Sequence, residues 1–301
     1  MYVTNSASND ISVIDIGTDI VIDTIPVGKG PVDLAFNPYN GNMYVDNSIS
    51  NNTSVIDTRT NTVIDTIPVG KGPVNVAFNP YNGAMYVTNG INKTISVIDT
   101  RINTVIDTIP VGEGATSFGI AFNPYNRDMY VANFIHDAVS VIDTRTNTVT
   151  DTIPMPGRFP SAISFNPYNG NMYVVNSVTN NTSVIDARTN TVIDTIPVGK
   201  GPRGIAFNPY NGDMYTANLL GNSVSIIDTR TNTVIDTIPT RGVSPLGIAF
   251  NRYDGDIYVT NFVSNTVSVI APITTRFYSG CNGITDETVT FQLDAWNYPC
   301  D

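Results

Sequence analysis

The chain has 301 residues, 41% of them hydrophobic, with a formal net charge of −11 and a pI near 4.3. That length supplies an ample core, and the acid excess argues against nucleic acid and anionic membrane surfaces as partners. No apolar run reaches the roughly 18 residues of a membrane-spanning helix and no signal peptide is visible, so direct membrane insertion is not expected.

The chain opens on Met1-Tyr2-Val3-Thr4-Asn5. Related pentapeptides begin at Met43, Met85, Met129, Met172, Met214 and Ile257, at intervals of 42 to 44 residues. A near-constant period in that range marks a repeat architecture. One full unit carries apolar runs at residues 32–36, 43–45, 54–57 and 63–67, rich in Val, Ile, Tyr, Phe and Thr, which predicts strands. Turn chemistry separates them: Asn37-Pro38-Tyr39-Asn40-Gly41, then Asn51-Asn52, Asp57-Thr58-Arg59-Thr60-Asn61 and Gly70-Lys71-Gly72-Pro73. Helical spacing is absent. Each unit therefore reads as a four-stranded antiparallel meander, with strands a, b, c and d in chain order.

Units of this size predict an all-β, seven-bladed β-propeller, a single domain over residues 1–301. Sandwich strands seldom repeat in sequence, and β-helix repeats are much shorter. Strand b occurs seven times, at Tyr2, Tyr44, Tyr86, Tyr130, Tyr173, Tyr215 and Tyr258, whereas strands a and d are each clear only six times. The chain ends are thus expected to meet inside one blade, with the tail, residues 272–301, closing the ring. In the preferred register residues 288–296 form strand a of blade 1 and residues 274–279 form strand d of blade 7; a rival register makes 288–293 strand d. Because Met1 falls in register inside a blade, an upstream leader is expected before it.

Tyr86-Val87-Thr88-Asn89, Ser96-Val97-Ile98-Asp99-Thr100, Asn103-Thr104-Val105 and Thr108-Ile109-Pro110-Val111-Gly112 resemble the repeat of the YVTN-family β-propellers, and the likeness recurs in every unit up to about residue 271. That family includes archaeal surface-layer proteins and secreted or periplasmic bacterial proteins. The resemblance implies the propeller fold and an extracellular or cell-surface location, periplasmic in a bacterium. It implies little about activity, because propellers carry many unrelated functions. In a secreted protein the two cysteines, Cys281 and Cys300, would be expected to form a disulfide.

The a–b and c–d loops are nearly uniform, and their Asn, Gly, Asp and Thr residues suit turn formation. The b–c and d–a loops, at the other end of the ring, differ from unit to unit. Variable loops on a rigid scaffold are where specificity usually sits, and by resemblance this is the ligand face of propellers. Large apolar residues stand in these loops from blade 4 onward: Phe134, Ile135, Phe159, Leu219, Leu220 and Phe262, with His136 beside them and Arg158, Arg203 and Arg241 as neighbouring cations. These ten are the candidate binding residues, with inward packing of the apolar ones as the alternative.

Catalytic residues are not assigned. His136 is the sole histidine, the glutamates are Glu113 and Glu287, and no nucleophile elbow, Cys/His pair or zinc-binding motif occurs. Lyases and lactonases on seven-bladed propellers, by resemblance, need a metal or clustered His and acidic residues near the axis. No cofactor or metal ligand is assigned; Asp33 and Asn75, on strand a near the channel, could contribute to an axial divalent cation site, with plain pore-lining polar residues as the alternative. Asp23, Asp65, Asp107, Asp151, Asp194 and Asp236 recur at one unit position and read as a solvated outer strand that discourages edge pairing. Asn51, Asn52, Asn92, Asn180 and Asn181 match the N-glycosylation acceptor pattern. The expected function is a cell-surface or secreted binding scaffold for protein or glycan. The alternatives are a metal-dependent hydrolase or lyase, and a surface-layer component.

Overall fold

A computed structural model describes residues 1–18, 20–112 and 117–271. They form seven antiparallel sheets, each built from consecutive strands, around a common axis. The protein is a seven-bladed β-propeller with four-stranded blades. Blade 2 shows the plan: strand a is Pro31–Asn37, b Asn42–Asn47, c Asn52–Asp57 and d Thr62–Pro68. Blades 1 and 7 contribute three strands each among the described residues. The expected closing strands at 274–279 and 288–296, the rival register, and the Cys281–Cys300 pair lie outside the described residues.

The core lies between blades. Tyr44, Val55 and Ile67 of blade 2 pack against Val76, Phe78, Met85 and Val87 of blade 3, and the same arrangement recurs around the ring. Alternation along strand b produces this: Tyr44 faces the next blade, while Met43 and Val45 face the previous one. Each fully buried Tyr, Met or Val contributes about 1.5–3 kcal/mol of hydrophobic stabilisation. The two ends of the ring meet by the same means, with Met1 and Val3 of blade 1 packed on Tyr258 and Val269 of blade 7.

Strand d is outermost. Ile22, Ile64, Ile106, Thr150, Ile193 and Ile235 each occupy a bulge, where the register with strand c slips by one residue. A bulge twists an exposed edge away from pairing with other strands. The acidic residue that follows does more than face solvent. Asp107, Asp151 and Asp194 accept hydrogen bonds from Asn147, Asn190 and Asn232 in the c–d loop of the following blade. Reading these carboxylates as a purely solvated edge is corrected by those bonds, which hold one blade to the next.

Candidate functional site

The two ends of the propeller differ in kind. At the a–b and c–d end the charges neutralise one another locally. Arg59, Arg101, Arg145, Arg188 and Arg230 each pair with an aspartate two residues earlier, at 2.6–3.1 Å. The guanidinium beside Asp143 holds that carboxyl down to about 2. Tyr39, Tyr125, Tyr168 and Tyr210 of the a–b loops set their rings edge-on against Phe78, Phe165, Phe207 and Phe250 of the next blade at 5.1–5.2 Å.

At the opposite end a uniform frame carries variable side chains. The asparagine that closes strand b is buried in blades 2 to 7: Asn47 Nδ2 donates to Asn52 Oδ1 and Ser54 Oγ, and Asn176 does the same with Asn181 and Ser183. The glycine of the preceding d–a loop lies directly on that asparagine, so that a Cβ on Gly28 would stand 2.7 Å from Asn47. A b–c loop Asn or Asp then reaches the next d–a loop. Asn9, Asn51 and Asn180 accept from the backbone N–H of Gly30, Gly72 and Gly201, and Asp137 accepts from that of Phe159. The side-chain oxygens of Asn51, Asn52, Asn180 and Asn181 are all taken up in this frame, and Asn92 is the exposed asparagine among the five acceptor sites.

Phe159 departs from the frame. Gly30, Gly72 and Gly201 adopt φ of +61° to +64°, which glycine tolerates freely, and the small Ser244 holds the same place at +61°; Phe159 is the bulky residue there, at +59°. A bulky residue kept in the left-handed region costs about 1–2 kcal/mol, and such cost is commonly found at functional sites. The ring it positions stacks on Phe134 at 4.6 Å, and Phe134 in turn meets Phe118 at 4.6 Å. Arg158 lies 5.5 Å from the centre of the Phe159 ring, and Arg203 lies 5.5 Å from that of Phe134. Arg203 belongs to strand a of blade 6 and meets the ring of Phe134, in the b–c loop of blade 4, across blade 5. Partial burial pushes the Arg203 guanidinium down from its ordinary value. Arg158 also approaches Asp137 at 3.6 Å.

The structure thus brings Phe134, Phe159, Arg158 and Arg203 together at the mouth of the channel, with the two rings partly buried. Ile135, Leu220 and Phe262 are 56%, 70% and 64% exposed, His136 and Arg241 are exposed, and Leu219 is partly buried. Two of these lose their distinctiveness. Leu220 covers Gly201 just as Ile49 covers Gly30 and Ile91 covers Gly72, and Ile135 holds the equivalent loop place. An apolar residue there belongs to the frame of most blades. The variable place is the one before it, occupied by Ser6, Ser48, Gly90, Phe134, Ser177, Leu219 and Phe262. Phe118 was missed because it sits inside strand a, where an aromatic reads as core; its signal is that Val32 and Val74 hold the same place in blades 2 and 3.

The axial residues are committed elsewhere. Asp33 accepts from the backbone N–H of Val76 at 2.9 Å, and Asn75 from that of Ile120 at 3.1 Å, so both fasten adjacent innermost strands. Across blade 2, Asp33 pairs in register with the fully buried Asp46, whose Oδ1 accepts from Thr53 at 2.7 Å. Burial pushes Asp33 up to about 7, and burial and the nearby Asp33 raise Asp46 well above the usual carboxylate range. Among the described residues no three His, Cys, Asp or Glu side chains converge as metal ligands.

Charge is distributed unevenly over the molecule. All four lysines, Lys29, Lys71, Lys93 and Lys200, stand on the variable face with Arg158, Arg203 and Arg241, facing Asp10, Asp33, Asp46 and Asp137 among the described acids. The rest of the described acid lies on the outer strands and at the opposite end.

A family model described as "Lactonase, 7-bladed beta-propeller" matches residues 58–193. No curated protein matches the sequence. Among solved structures, the chain is similar to hydrazine synthase of Kuenenia stuttgartiensis, with a TM-score of 0.79 and 19% identity over 91% of this chain and 92% of that one. It is similar to a functionally unknown protein from Desulfotomaculum acetoxidans, with a TM-score of 0.78 and 17% identity over 90% and 92%. Virginiamycin B lyase from Staphylococcus aureus follows the same fold, with a TM-score of 0.70 and 15% identity over 79% and 80%. At these identities the likeness concerns the fold alone.

Proposed function

We propose that this chain is a binding module, secreted or displayed at the cell surface, that holds a protein or glycan ligand on the b–c and d–a loop face. The observation that carries this reading is Phe159. Phe159 takes a place held by glycine in blades 2, 3 and 6, against its backbone preference, and its ring packs on Phe134, which meets Phe118. Aromatic and arginine side chains are the usual anchors of recognition surfaces, and a ring beside a guanidinium offers an apolar face and a charge-assisted donor together. The face stands on a rigid sheet framework, so the anchors need little ordering when ligand arrives.

The test is binding of purified full-length protein to an array of glycans and cell-envelope fractions, repeated with Phe134→Ser and Phe159→Gly. Selective loss of the bound ligands at unchanged melting temperature supports the reading. Unchanged binding by both variants overturns it. The match of residues 58–193 to a lactonase model favours a second reading, a hydrolase or lyase with an axial metal. The side-chain oxygens of Asp33 and Asn75, the residues suited to such a site, already fasten neighbouring strands. Stoichiometric divalent metal in purified protein, lost in Asp33→Asn, would favour that second reading.

A further inference from the structure

We infer that the ligand of this face is an acidic glycan, with its anionic groups on the cations of the d–a loops and a sugar face against the aromatic stack. The inference rests on the binding-face reading above and adds the ligand's chemistry to it.

Lys29, Lys71, Arg158 and Lys200 occupy one repeated position, each directly before the left-handed residue of its loop. The loops are held alike: the backbone carbonyls of these four residues accept from the N–H groups of Ile49, Ile91, Val178 and Leu220 at 3.1–3.3 Å. The cations therefore recur at one level of the face before blades 2, 3, 5 and 6, on fixed backbone, with Val243 at the same place before blade 7. All four are exposed. The lysines of the chain form no ion pair with a described residue, in contrast to the five self-paired arginines at the other end. A protein of net charge −11 that keeps every lysine on one face concentrates positive potential there, and such a field draws in and orients an anionic ligand.

The charge balance decides between polyanions. Among the described residues seven cations stand against four carboxylates on the face, and Asp33 and Asp46 are both held towards neutrality. That excess is modest, and the acidic body behind it opposes a densely charged phosphate chain, whose binding domains are strongly basic overall. A saccharide chain combines carboxylate or sulfate groups with apolar C–H faces, which match the Phe134–Phe159 rings.

The test uses the full chain with oligogalacturonate, its methyl ester, a sulfated glycosaminoglycan oligosaccharide and single-stranded DNA, each titrated at about 50 and 200 mM salt. Expected are binding of at least one acidic oligosaccharide, weakening with salt, and none of the neutral ester or the DNA. Combined Lys29→Gln, Lys71→Gln and Lys200→Gln should weaken that binding about tenfold, as three partly screened ion pairs would, with no change in melting temperature. Equal binding of ester and acid, no binding of either acidic oligosaccharide, or no effect of the triple substitution overturns the inference. Equal binding of DNA overturns the glycan assignment. If Phe134→Ser abolishes a neutral ligand while the lysine variant has no effect, the anionic inference falls and the binding face stands. If neither variant alters any binding, both fall.

Discussion

The hydroxyl of Tyr86 donates to Oδ1 of Asn147 at 3.0 Å, across the boundary between blades 3 and 4. Nδ2 of the same asparagine donates to Asp107 of blade 3 at 2.9 Å. One blade thus grips a c–d loop residue of the next with two side chains. The pattern recurs as Tyr130–Asn190–Asp151 and Tyr173–Asn232–Asp194. Asn147 also has φ of +52°, so the repeat needs asparagine there for its backbone as well as for its amide.

Asn147→Ala should therefore lower stability by about 2–4 kcal/mol: roughly 0.5–1.5 for each of the two lost hydrogen bonds and about 1 for a left-handed alanine. Asn147→Gly loses the bonds and avoids the backbone cost, so it should come out about 1 kcal/mol better. Chemical denaturation of the two variants measures this. Equal losses would show that the backbone conformation contributes nothing.

Phe159→Gly restores the residue found in blades 2, 3 and 6. Relief of about 1–2 kcal/mol of backbone strain should nearly offset the lost ring stacking, worth about 0.5–1.5 kcal/mol. The melting temperature is expected to stay level or rise. A loss beyond about 2 kcal/mol would make Phe159 a packing residue and remove the main support for the binding face.

Asp33 and Asp46 make stability depend on pH. Their folded-state pKa values are raised, to about 7 for Asp33, so between pH 4 and 7 the folded state holds protons that the unfolded chain has released. Their contribution is fully favourable below the unfolded value and is lost as pH climbs through the folded one. Asp33→Asn, which installs the blade 3 residue Asn75, should gain on wild type steadily from pH 4.5 to 7.5 in melting temperature. A difference between the two that stays constant across that range would contradict the raised pKa.

Gly119 lies where innermost strands nearly touch: a Cβ there would stand 2.6 Å from Cα of Ala162 in blade 5. Backbone cannot turn aside as a side chain does. Gly119→Ala should cost about 1–3 kcal/mol by overpacking, read by denaturant midpoint. A neutral substitution would mean that the ring widens freely at this point.

The fold was legible because its signals are local and repeated. The 42–44-residue period, the Asn-Gly turns and the alternation around each Tyr specify strand, turn and facing without reference to distant contacts. The clasp on Asn147 was not legible, since it joins residues 61 and 40 positions apart whose meeting depends on how blades stack. The candidate site was legible in part. Phe134, Phe159 and Arg158 stand out as loop residues of unusual type and Arg203 as a cation at the start of a strand, whereas Ile135 and Leu220 proved to share a place with Ile49 and Ile91. Phe118 lies in a strand and becomes part of the patch only through its contact with Phe134.

The most direct measurement of the central claim is amide hydrogen exchange of the full chain with and without the best-binding oligosaccharide. Protection is expected at residues 29–30, 71–72, 134–137, 158–159 and 200–203, which are loops and strand starts on one face, and none at the c–d loops around Arg59, Arg101 and Arg145. Protection confined to the c–d or a–b loops, or to the outer strands, would contradict the assignment of the binding face.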